Sequence, residues 1–101
     1  MAHVEFDTHG ALKRDLRDAK RAGELVRVRA AIDDLKAEAA GLDIVPLQGR
    51  PPWRRMRTGN WRVLFRPLTP TEMGQLGHRG GGYLVARIVN RRDLERAVAS
   101  L

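Results

Sequence analysis

Residues 50–66, RPPWRRMRTGNWRVLFR, hold six arginines, two tryptophans and no acidic residue. Guanidinium groups give paired N–H bonds to phosphate oxygens and keep their charge at any physiological pH, so this composition suits a polyanion. Gly59-Asn60 reads as the two-residue turn of a β-hairpin, because both types tolerate the positive φ of tight hairpin loops. That turn pairs Thr58 with Trp61, Arg57 with Arg62, Met56 with Val63, Arg55 with Leu64, and Trp53 with Arg66. Alternation then predicts a core face of Met56, Trp61, Val63 and Phe65. Trp53, Arg55, Arg57, Arg62 and Arg66 fall on the opposite face, with Arg54 beside them in the chain. Directly opposed Arg57 and Arg62 cost stability, which an anionic partner would offset. Nucleic acid is the leading candidate.

Single arginines are common on solvated strand faces, and Trp53 beside Pro52 could simply cover the sheet edge. A face that gathers Arg55, Arg57, Arg62 and Arg66 without an interleaved carboxylate is harder to assign to solvation. Trp53 on that face would offer a platform for a base, a contact worth about 1–3 kcal/mol. Arg87, Arg91 and Arg92 form a second basic group at the end of a strand and the start of a helix. A cation there opposes the helix dipole, so helix stability does not explain it; a surface pair of Arg92 with Asp93 is the plain alternative. His78, in GHRGGG, is the one histidine near the proposed face, and its titration range suits proton transfer, although loop histidines are more often simply exposed. His3 and His9 lack metal-ligand spacing, and RGGGY lacks the Lys-Ser/Thr of a phosphate loop. No nucleophilic triad or metal-binding carboxylate cluster is legible, and no cofactor is expected.

The elements that must position these residues follow from periodicity. At 101 residues the chain reads as one domain, residues 1–101, with a core of its own. A net charge of +7 favours RNA, DNA or an acidic protein as partner. An anionic membrane surface fits less well, since no basic amphipathic helix stands out. The absence of cysteine excludes disulfides, thiolate catalysis and cysteine-ligated zinc. MAHVEFDTHG has no apolar signal-peptide region and no apolar run spans a membrane, which points to a cytoplasmic chain.

HVEF at residues 3–6 is a short strand candidate. Leu12, Leu16 and Ala19 predict a helix over 8–21, capped by Thr8 and ended by Gly23. Leu25, Val28, Ile32, Leu35 and Ala39 predict a second helix over 24–40, stopped by Gly41. The short break makes an antiparallel helical hairpin. Residues 42–48 read as a connector and residues 67–82 as a long Gly- and Pro-rich loop. YLVARIV at 83–89 is an apolar strand, and Asn90 caps a last helix over 91–100. The expected fold class is α+β in the order β-α-α-β-β-β-α, with the helical hairpin on one face of a small, mainly antiparallel sheet.

With hairpin and last strand in place, the chain resembles the RelE/ParE superfamily of bacterial toxins. The resemblance is carried by Leu47-Gln48-Gly49, by WRRMRTGNWRVLF at 53–65 and by ARIVNRRDL at 86–94. It implies a cytoplasmic toxin of a toxin–antitoxin system, held in a hetero-oligomer by a cognate antitoxin with an acidic segment. In the RelE-like branch it implies a ribosome-dependent mRNA endoribonuclease; in the ParE-like branch, a gyrase inhibitor. A non-catalytic RNA- or protein-binding module of the same fold is the third possibility. The resemblance places Arg62 and Arg92 at the scissile phosphate and Arg55 at a basic position beside them, with His78 a speculative proton carrier. Trp53, Arg54, Arg57, Arg66, Arg87 and Arg91 would bind RNA. Trp53 stands where the best-known RelE-like sequences have lysine, and Val98 near where they place a tyrosine. The implied reaction is metal-independent attack of a ribose 2′-hydroxyl on its own 3′-phosphate.

Overall fold

A computed structural model describes residues 1–8 and 10–101. Five strands form one sheet in the order β1-β5-β4-β3-β2: β1 His3–Phe6, β2 Ile44–Pro46, β3 Arg54–Thr58, β4 Trp61–Pro67 and β5 Gly82–Asn90. Only β1 runs parallel to its neighbour, β5; the other pairings are antiparallel. The helices are α1 Leu12–Arg21, α2 Leu25–Lys36, α3 Pro70–Gln75 and α4 Leu94–Ala99, with a 3-10 turn over Arg91–Asp93 leading into the last.

The hairpin register is the one its turn dictates: Thr58 opposes Trp61, Arg57 Arg62, Met56 Val63, and Arg55 Leu64. Gly59 has φ +58 and Asn60 does not have a positive φ, the sign pattern of a type II′ turn with glycine first. Met56, Trp61, Val63 and Phe65 are buried, as expected, among Leu12, Val28, Ile32 and Leu35. Tyr83 meets Phe65 edge-on at 5.4 Å between ring centroids.

Several elements differ from the reading of the sequence. The first helix starts at Leu12, not at residue 8, and Asp15 N–H donates to Ala11. Position 9, expected inside that helix and weighed as a metal ligand, lies outside the described residues. The second helix ends at Lys36, because Glu38 takes φ +52 and turns the chain before Gly41. Its C-terminal closure, with Ala39 N–H donating to Asp34 O, is the usual left-handed stop made with a non-glycine residue. The connector after it holds an edge strand, β2. The 67–82 loop holds α3, whose Thr69 and Glu72 form a reciprocal capping box with Pro70 at its first position.

The second face of the sheet is not left open throughout. Leu64 and Val89 are buried there beneath α4, where Ala97, Leu94, Val98, Leu101 and Leu47 form a second apolar cluster. Alternation buries the neighbours Leu64 and Phe65 on opposite faces of β4, and the register shift between them leaves Ala86 of β5 as the extra residue. Near β1, Leu68 and Met73 press onto Gly82 so closely that an added Cβ would lie 2.7 Å from Leu68 Cδ1. The arginine side of the hairpin emerges in the space beside α4.

Candidate nucleic-acid interface

Strand alternation puts Arg55, Arg57 and Arg62 on the face opposite the helical hairpin. Arg57 is exposed and the other two are half-buried. Arg91 joins them because its N–H donates to Asn60 O at 2.7 Å, tying the start of the 3-10 turn to the hairpin loop. Arg62 is steered by two carbonyls, donating to Gly59 O and to Trp61 O at 3.0 Å each. Burial, and then the guanidiniums of Arg57, Arg55 and Arg91, hold Arg62 below the ordinary arginine pKa, with Asp43 opposing. Three like charges around one guanidinium form a site short of an anion.

One carboxylate enters this group from outside the hairpin. Asp43 Oδ1 accepts from Arg55 Nη1 at 3.2 Å, and Asp43 O accepts from Arg57 N at 2.9 Å. The hairpin sequence has no acid of its own, so nothing in its pattern announced this one. Its signal was β2, the short strand that sets Ile44 opposite Met56 and so carries Asp43 to the array. Arg27 of α2 also reaches the turn, its guanidinium 3.1 Å from where a Gly59 Cβ would stand, while bonding Glu24. It too was missed by reading the hairpin alone.

Other residues expected in the interface are placed elsewhere. Arg66 is not free: Glu72 of α3 grips it with bonds of 2.7 and 3.0 Å, and its guanidinium lies 5.7 Å from the centre of the Trp53 ring. That pair raises the Arg66 pKa and drives Glu72 down to about 2. Trp53 therefore has an arginine of its own chain as a stacking neighbour. Arg87 is a structural clamp. Asp15 of α1 accepts from its Nε at 2.8 Å and its Nη2 at 3.1 Å, and Ser100 Oγ accepts from Nη1 at 2.8 Å. Asp15 also accepts from Ile88 N at 3.0 Å, where β5 has outrun its partner β1. Arg54 opposes Phe65 and shares the Met56 side of the strand, so it does not join the array.

Arg92 and His78 need correction as partners of Arg62. The 3-10 turn rotates successive side chains apart, so Arg92 lines a separate cleft of about 480 Å³ with Arg14, Asp18 and Trp61. Arg91, one residue earlier, is the cation that acts on Arg62. His78 stacks on His3 at 3.9 Å between centroids, next to the His3–Glu5 bond. His3 pairs with Gly82 and Arg62 with Val89, so the histidines stand about 20 Å from Arg62 along β5 at about 3.3 Å per residue. Among the described residues no group of three or more His, Cys, Asp or Glu is arranged to hold a metal ion. Nor is any helix among them long and apolar enough to cross a membrane.

No family model matches the chain, and no characterised protein is detectably similar in sequence. A chain from the solved RelB–RelE antitoxin–toxin complex of Methanococcus jannaschii superposes with a TM-score of 0.57. The match covers 91% of this chain and 95% of that one at 16% sequence identity. At that identity the likeness is one of fold, and the fold is RelE-like: α+β, with two helices against a mainly antiparallel five-stranded sheet.

Proposed function

We propose that this chain is the toxin of a toxin–antitoxin pair and an endoribonuclease that cuts mRNA on the ribosome, in the cytoplasm. The observation that carries this reading is the convergence of Arg55, Arg57, Arg62 and Arg91 at one end of a RelE-like sheet. The fold's likeness to a chain of an antitoxin–toxin complex supports the toxin role and an antitoxin as partner.

The chemistry such a face suits is transesterification within RNA. Attack of a 2′-hydroxyl on the adjacent phosphate builds negative charge on the non-bridging oxygens, and fixed guanidiniums stabilise that charge without reorganising. Arg62, oriented by two backbone carbonyls and depressed in pKa by burial and then by its cationic neighbours, is the group with most to gain from a phosphate. Arg57, Arg55 and Arg91 act on it, in that order, and Arg55 is also in contact with Asp43. Arg92 lies outside the array, in the separate cleft with Arg14, Asp18 and Trp61.

The test is induced expression with primer extension on a reporter mRNA, run beside a gyrase-cleavage assay on the same cells. Codon-phased breaks in the mRNA that disappear in Arg62→Ala support the reading. Intact mRNA with trapped gyrase–DNA complexes would replace it with the gyrase-inhibitor alternative.

A further inference from the structure

The arginine array can bind and neutralise a phosphate, but no guanidinium can take a proton from a 2′-hydroxyl. His78 is too remote to do so. Resting on the nuclease reading above, we infer that Asp43 is the proton acceptor of this site. Asp43 extends the β2 pairing by one residue and so stands on the same face as Arg55 and Val45. Its Oδ1 is held by Arg55, its side chain is 49% exposed, and its Oδ2 accepts no hydrogen bond among the described residues. Asp15, Glu24, Glu72 and Asp93 are paired with Arg87, Arg27, Arg66 and Arg96 away from the array, whereas Asp43 is the carboxylate that acts on Arg62.

The step balances as follows. The 2′-hydroxyl proton passes to Asp43 Oδ2 while the 2′-oxygen forms a bond to phosphorus. The bond from phosphorus to the 5′-oxygen breaks, and that oxygen takes a proton from water. The hydroxide left behind removes the proton from Asp43, which is restored as carboxylate. The products are a 2′,3′-cyclic phosphate and a 5′-hydroxyl. Arg55 holds the carboxylate in line, and Arg62 and Arg91 carry the charge on the phosphate.

Removing Asp43's charge has opposite effects on binding and on chemistry, which separates this role from others. Asp43→Asn deletes a negative charge from an RNA-binding face, so affinity holds or rises; the maximal rate falls about 10²-fold or more with the base gone. The experiment uses the full chain in excess over ribosomes programmed with a defined mRNA, reading the single-turnover rate at saturation. Affinity is read separately on the same mRNA carrying one 2′-deoxy nucleotide at the cut site, which binds but cannot react. The expected result is a slow Asp43→Asn that binds at least as well as the parent, with rate recovered in Asp43→Glu. An Asp43→Asn rate within twofold of the parent overturns the inference and leaves the nuclease standing. Loss of affinity and rate together also overturns it, in favour of a structural role for Asp43. A parent chain that leaves ribosome-bound mRNA uncut overturns both readings.

Discussion

At the scale of single residues, the fate of each arginine depends on which carboxylate reaches it. Arg62 has backbone carbonyls as acceptors and cations as neighbours, so it costs the fold something to keep. Arg62→Ala is therefore expected to leave thermal stability unchanged or slightly higher. It should lower the rate of RNA cleavage by about 10²–10³-fold. The slope of log affinity against log salt for single-stranded RNA should fall by about 0.7, one phosphate contact's share. Calorimetric melting and a salt titration on the same preparations check both halves. Arg87 behaves in the opposite way. Asp15→Ala leaves a half-buried guanidinium and the Ile88 N–H without their acceptor, and urea unfolding should show a loss of about 3–5 kcal/mol. If Asp15→Ala melts like the parent, the clamp is not what joins α1 to β5.

The elements show how much of the architecture local rules reach. Hairpin register followed from one Gly-Asn pair and from alternation, because both act over a few residues and a one-residue slip would expose the whole core face. The capping box of α3 was equally local, written as Thr69-Pro70-Thr71-Glu72, yet the surrounding glycines and prolines masked it. Glu72 ties that helix to β4, and its carboxyl titrates near 2 when folded against an ordinary value above 4. The stability it contributes is complete above about pH 5 and disappears as pH falls from there toward 2. Melting temperatures of the parent and Glu72→Gln should thus differ at neutral pH and converge in acid. The end of α2 gives a second test. Glu38 pays the left-handed penalty that glycine avoids, so Glu38→Gly should raise stability by roughly 0.5–1 kcal/mol in a denaturant titration.

For the whole molecule, a net charge of +7 with four converging arginines makes encounter with any polyanion long-range. Association with RNA, and with an antitoxin carrying an acidic segment, should slow steeply as salt rises. Stopped-flow traces at low and high ionic strength measure this; a rate indifferent to salt means that apolar surface alone drives docking. The amino-acid order by itself determined the basic hairpin, its register, the buried quartet of Met56, Trp61, Val63 and Phe65, and the α+β class. Those features rest on short-range geometry: turn chemistry, strand alternation and helical period. Only the tertiary structure decided which cations remain available. Arg87 meets Asp15 from 72 residues away, Arg55 meets Asp43 across a strand pair, and a 3-10 turn sends Arg91 toward Arg62 but Arg92 into another cleft. Charge pairing acts through space over a few ångströms, so neighbours in the chain say little about it until the fold has chosen who stands beside whom.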